Sequence, residues 1–193
     1  MVLLSRADLI DGLQELIEEL RAVGEPVGLK LVGGGALALR YFDRDTTRDV
    51  DAFHVRPGSD ETVTAAAHRV ARRKGWQDDW LNFDVTKTPA EPQWGKAIAW
   101  EKIFDGGDIT IEVASAEALL VMKMQANRPG RDTDDIRQLL ALCGVTSVIA
   151  ADELYTAFYP GESLSARAWT MVEKILSAGP LEDPPPVEPF ELS

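Results

Sequence analysis

Behind Ser5-Arg-Ala-Asp8, which has the form of a capping box, Leu9, Leu13, Leu16, Ile17 and Leu20 recur at helical spacing, while Glu18 and Glu19 fall on other faces. That pattern predicts an amphipathic helix with one buried stripe. Gly24-Glu-Pro-Val-Gly28 then turns the chain into a short apolar run over 29–32, which reads as a buried strand. A helix over 36–41, a polar turn over 42–46 and a second strand over 50–55 follow. Pro57-Gly58-Ser59 breaks the chain. Ser59 or Asp60 caps a helix that runs on Val63, Ala67, Val70 and Ala71 to Lys74, and Gly75 ends it.

Residues 76–87 read as irregular to extended, ahead of a loop containing Pro89 and Pro92. Strands over 96–104 and 108–113 flank Asp105-Gly-Gly-Asp108, a hairpin signal. Strands alternating with helices, plus one antiparallel hairpin, predict an α+β fold with a small mixed sheet and helices on one side. From Ser115 the pattern is purely helical: 115–127, a break at Pro129-Gly130, then 132–142, 150–158 and 164–177. The chain therefore divides into an α/β core over 1–114 with its N-terminal helix, a helical subdomain over 115–178, and an acidic, proline-rich tail over 179–193 that reads as extended or disordered.

Composition narrows the class. The chain has 193 residues, enough for one ordinary core with a helical appendage, and 45% hydrophobic content. The lone Cys143 lies in an apolar stretch and has no second cysteine to pair with, so it reads as an inert thiol in a reducing cytoplasm. The N-terminus does not have the form of a signal peptide, and no apolar run reaches membrane-spanning length, so no membrane partner is expected. A net charge of −12 argues against broad nucleic-acid binding, yet Arg40, Arg44, Arg48, Lys123, Arg128, Arg131 and Arg137 could supply a local basic patch for phosphate.

The chemistry-bearing stretch is Leu31-Val-Gly-Gly-Gly-Ala-Leu-Ala-Leu39, followed by Thr47-Arg48-Asp49-Val50-Asp51-Ala52-Phe53. Alternate residues of a strand face one way, so Asp49 and Asp51 point together, with Val50 and Phe53 available to the core. Two carboxylates on one face suit a divalent cation, and the cation suits a triphosphate. The glycines let that triphosphate approach the amides that open the next helix. Glu112, on a neighbouring strand with Asp108 and Thr110, is a candidate third carboxylate. Lys123 lies beside Leu119, Leu120 and Met124 on a helix and could reach a buried anion. Asp132, Asp134 and Asp135 stand in a first turn, where the helix dipole favours acids whatever their role. His54 and His68 read as structural or surface residues.

The chain resembles the bacterial nucleotidyltransferases related to AbiEii-type toxins of toxin–antitoxin and abortive-infection loci. The stretches that carry this are Val32-Gly-Gly-Gly-Ala-Leu-Ala-Leu39 with Arg44 and Thr47-Arg-Asp-Val-Asp51; Gly75-Trp with Trp80-Leu-Asn82; Val113-Ala-Ser-Ala-Glu-Ala-Leu-Leu-Val-Met-Lys-Met124; and Arg131-Asp-Thr-Asp-Asp-Ile136. The resemblance implies a DNA-polymerase-β-like nucleotidyltransferase fold with a C-terminal helical subdomain. It implies an enzyme that uses Mg²⁺ to transfer a nucleoside monophosphate from an NTP, such as ATP or CTP, to the 3′ end of tRNA, as a toxin with an antitoxin protein as partner. Asp49 and Asp51 match its metal-binding pair, and Gly33 and Gly34 its glycine turn, with Gly34 where many relatives have Ser. Thr47 and Arg48, next to the metal-binding pair, could touch the nucleotide's phosphate or simply support the strand. Lys123 matches a lysine near the phosphates, and Asp132 and Asp135 match the acids of the following segment. Two departures stand out: the 14 residues between Gly34 and Asp49, and Asp45 where relatives carry a second arginine. Transfer to a small molecule such as an antibiotic, transfer to a protein hydroxyl, and a degenerate nucleotide-binding member without turnover are the competing readings.

Overall fold

The computed structural model describes residues 2–44, 46–55, 58–87 and 95–193. Asp45, Pro57 and the loop with Pro89 and Pro92 lie outside them. The protein is α+β, with a five-stranded mixed sheet and, among the described residues, seven α-helices. It divides into two units. The first holds the described residues up to Lys87, Trp100–Ala114 and Pro186–Ser193; the second holds the described residues 95–99 and Ser115–Pro185.

In the first unit, α1 (Arg6–Val23) starts at the capping box read from the sequence: Ser5 Oγ accepts from the Asp8 amide, and the Asp8 carboxylate accepts from the Ser5 amide. Gly24, in the left-handed conformation, stops it. β1 (Val27–Val32), β2 (Val50–Val55), β3 (Leu81–Asn82), β4 (Trp100–Asp105) and β5 (Ile109–Ala114) form one sheet in the order β3-β2-β1-β5-β4. β1 pairs antiparallel with β2 and parallel with β5, so it is the centre of the sheet. Its Leu29 and Leu31, with Val50 and Ala52 of β2 and Ile111 and Val113 of β5, make the buried face.

Helix α2 (Gly33–Arg40) begins three residues earlier than the apolar pattern indicates, directly at the end of β1 with no connecting loop. Helix α3 (Asp60–Lys74) is capped by Ser59, whose Oγ accepts from the Thr62 amide, and ends at left-handed Gly75. α1 and α3 are laced together by Arg69 with Glu19, Arg73 with Glu15 and Glu19, and Lys74 with Asp11 and Glu15. Gly12 lets this pair close: a β-carbon there would meet the rings of Trp76 and Trp80. Trp80, 1% exposed, donates its ring N–H to the Ala67 carbonyl at 2.9 Å and stands edge-on to Trp76.

The expected strand over 96–104 starts later, at Trp100, because the preceding residues are engaged elsewhere. In the second unit the Lys96 amide donates to the Ala157 carbonyl at the end of α6 (Val148–Phe158), and a β-carbon on Gly95 would collide with the Ala157 and Phe158 carbonyl oxygens. The other helices of this unit are α4 (Ala116–Ala126), α5 (Thr133–Leu142) and α7 (Ala166–Ser177). Ser115, Ser147 and Ser165 cap α4, α6 and α7 through their hydroxyls. Burial pushes the Cys143 thiol up to about 12, helped by Glu117, which keeps it protonated and unreactive.

The tail forms no regular element, and its final residues are held rather than loose. Ser193 exchanges hydrogen bonds with the Gln14 side chain and accepts from Arg21, and Arg6 lies over the Phe190 ring.

Replacing Trp80 with Ala removes a fully buried indole and its hydrogen bond, and should cost about 3–5 kcal/mol. Chemical denaturation of the full chain checks this; a loss below about 1 kcal/mol would contradict the packing described.

Candidate functional site

The β1–β2 register builds the site. Val32 pairs with Asp51, so the last residue of β1 lies beside the second carboxylate of the Asp49–Asp51 pair, Asp49 standing just ahead of β2. Val32 is also the residue from which α2 starts, so Asp51 is set against the strand-to-helix junction. Gly33 turns that junction with φ +69°, a left-handed conformation in which side chains are strained. A β-carbon at Gly33 would run into the Asp51 carboxylate, Oδ2 first. The glycine is thus needed twice, for its backbone angle and for the space that Asp51 fills.

The next two glycines are matched to neighbours as well. A β-carbon at Gly34 would overlap the Arg44 guanidinium and come within 2.9 Å of Thr47 Oγ1. Arg44 therefore fills the space in which a serine would project at this position. A β-carbon at Gly35 would press on Val50 Cγ2 and the Asp49 carbonyl, at 3.1 and 3.3 Å. The first turn of α2 is laid directly on residues 49–51.

Thr47 is fixed from two sides. It forms an isolated antiparallel bridge with Leu4, with paired backbone hydrogen bonds of 2.7 and 2.8 Å, and its hydroxyl donates to the Asp49 carbonyl at 3.2 Å. It is buried, and these contacts give it the work of holding the backbone ahead of Asp49. Arg48 is exposed, and Asp49 and Asp51 are half-buried, open to solvent on one side.

Strand alternation puts Phe53 on the Asp51 face, opposite Val50 and Ala52, and it is buried there, in line with the expectation that it packs in the core. Phe53 stacks edge-on to Trp100, with Lys30 over the Trp100 ring. Glu112 pairs in register with Lys30 and Lys102. It lies one strand beyond β1 and one row below Asp51, a separation of roughly 12 Å by strand spacing and rise. Glu112 therefore does not join the Asp49–Asp51 pair in this register. Among the described residues no three His, Cys, Asp or Glu side chains gather as a metal cage. Mg²⁺ does not require one: with phosphate substrates it is held by one or two carboxylates, the remaining positions going to phosphate oxygens and water. Two half-buried carboxylates beside the glycine turn fit that donor set.

In the second unit, the three residues predicted there come together. Lys123, 5% exposed, places its ammonium 2.7 Å from Asp132 Oδ1 and 2.9 Å from Asp135 Oδ2. Arg128 adds its Nε at 2.9 Å and its backbone amide at 3.1 Å, both to Asp132 Oδ2. Asp132 is the residue before α5, but its side chain makes no helix cap because Lys123 and Arg128 have claimed it. Burial alone would raise the Asp132 carboxyl. The Arg128 hydrogen bond and the Lys123 charge outweigh burial and hold it below the usual aspartate range. Lys123 is thus a buried cation compensated by two acids rather than a free surface charge.

The basic patch expected around the site is partly spent. Arg40 pairs with Glu101 at 2.6 Å, and Arg128 with Asp132. His54 Nδ1 lies 2.6 Å from Asp60, in keeping with a structural part. The contact that sequence reasoning missed is Arg44 against Gly34. Both residues stood out, but a gap of ten positions gives no hint that one fills the other's missing side chain. No protein-family model, no curated protein and no solved structure matches the chain.

Because the folded-state pKa of Asp132 is depressed, its contribution to stability is complete above the unfolded value of about 4 and is lost as pH falls through the folded value. Stability of the wild type should therefore drop below about pH 4, and Asp132→Asn should flatten that part of the profile. Lys123→Met, which leaves two buried carboxylates without their cation, should cost about 3–5 kcal/mol at neutral pH. Urea titrations across pH check both; an unchanged midpoint in Lys123→Met would contradict the buried network.

Proposed function

We propose that the protein is a metal-dependent nucleotidyltransferase with a DNA-polymerase-β-like core. In this reading it transfers a nucleoside monophosphate from an NTP to the 3′ end of tRNA, as a toxin of a toxin–antitoxin system. The observation that carries the proposal is the seating of the Asp51 carboxylate against Gly33, where β1 runs without a loop into α2. A phosphate chain drawn to that junction meets the first amides of α2 on one side and two carboxylates on the other.

Asp49 and Asp51 would hold Mg²⁺, which neutralises phosphate charge and lowers the pKa of an attacking hydroxyl. Gly33 and Gly34, lacking β-carbons, leave room at the turn for the Asp51 carboxylate and the Arg44 guanidinium. Arg44, over Gly34, adds positive charge at the same turn, and Thr47 keeps the Asp49 backbone in place. In the reaction, the acceptor hydroxyl oxygen bonds to the α-phosphorus. The bond from that phosphorus to the bridging oxygen breaks, pyrophosphate leaves, and the hydroxyl proton passes to solvent.

A second reading, transfer to a small molecule or a protein hydroxyl, draws support from charge. The chain carries a net −12, and Arg40 and Arg128 are occupied by acids, which leaves fewer cations for a polyanion.

With α-labelled NTPs, Mg²⁺ and total bacterial RNA, the protein should label tRNA-sized species. Asp49→Asn and Asp51→Asn should each lower the rate at least about 100-fold without loss of fold. Gly33→Ala should displace the Asp51 carboxylate and lower the rate comparably, and EDTA should stop labelling. Full activity in Asp51→Asn would refute the site. Labelled protein or small molecules in place of RNA would move the acceptor to the second reading.

A further inference from the structure

The second unit has a groove that the proposed transfer chemistry does not use. It lies between the start of α5 and the length of α7 and encloses about 500 Å³. Its apolar surface comes from Pro129, Met171 and Ile175, and its charged rim from Arg137, Arg167 and Lys174. No carboxylate lines it, in a chain that carries 32 acids against 20 basic residues. Among the described residues none of the three cations is in an ion pair, in contrast to Arg40, Lys123 and Arg128.

Spacing adds to charge. On α7, Met171 stands four residues after Arg167, and Lys174 three after Met171, so the three form one stripe along the groove. Arg167 and Lys174 are two turns apart, roughly 10 Å along the axis. A helix laid in the groove with carboxylates two turns apart would match Arg167 and Lys174, with aliphatic residues between to cover Met171 and Pro129. Single-stranded nucleic acid is a poorer match, because its bases take aromatic platforms and no aromatic side chain lines this groove.

We infer that the α5–α7 groove is a docking site for an acidic amphipathic helix of a partner protein, its aliphatic face on Pro129 and Met171 and its carboxylates on Arg137, Arg167 and Lys174. The charge complementarity is local. The rest of this acidic chain would repel such a helix at a distance, so the groove is where it would be tolerated.

The test uses the full chain and a fluorescent helical peptide with Leu at i, i+3, i+4 and i+7 flanked by Glu. Fluorescence anisotropy should give saturable, micromolar binding. The double reversal Arg167→Glu with Lys174→Glu should weaken it at least about tenfold, and a Lys-flanked version of the peptide should regain affinity for that variant. Met171→Asp should also weaken binding, while Asp51→Asn should leave it unchanged, which separates this site from the transfer site. Helical content by circular dichroism confirms that each variant is folded. Equal binding of a Glu-flanked peptide with Ala in place of Leu would overturn the proposal, since charge alone would then suffice. So would unchanged affinity in the double reversal, or displacement of the peptide by a ten-nucleotide poly(U).

Discussion

The pairing of Val32 with Asp51 is the constraint on which the first unit turns. β1 is the central strand, and its register against β2 decides which β2 side chains face the helices and which face outward. A slip of one residue would bury both carboxylates and expose Val50 and Ala52. The hydrophobic face therefore enforces the register, and the register delivers Asp51 to the turn at Gly33. Packing and chemistry are set by the same hydrogen-bond ladder.

The second unit handles its buried charge differently. Lys123 lies within an apolar helix yet has two carboxylates within 3 Å, and one of these is shared with Arg128. Such a cluster contributes little net stability over an apolar equivalent, but breaking it is costly, so it ties α4 to α5 in one geometry. The uncapped start of α5 follows from the same arrangement: the acid that would cap it is held by the cations instead.

Much of the fold could be read from the sequence because its signals were local. Ser5, Ser59 and Ser115 cap the helices they were expected to open, and Gly24 and Gly75 end the first two of these. The boundaries that shifted were set by distant contacts. Residues before Trp100 are tied to the end of α6, and α2 could start at Gly33 only because Asp51 stands where a side chain would be. The candidate site shows the same division. The Asp-x-Asp spacing on a strand was visible, and Lys123, Asp132 and Asp135 stood out singly, but their gathering into one buried cluster was not legible. Nor was the filling of Gly34 by Arg44, which depends on the path the chain takes after α2, or the separation of Glu112 from Asp51, which depends on strand order.

That strand order also has a temporal side. β1 and β2 are neighbours in the chain and can pair through a short connection, with α1, α2 and α3 ready to cover them. The other edge of β1 belongs to β5, and residues 109–114 leave the ribosome long after residues 27–32. A growing chain thus carries its central strand with one edge unpaired until residues 109–114 emerge, and non-local parallel pairing of this kind is slow to close. The centre of the finished sheet is, during synthesis, its most vulnerable margin.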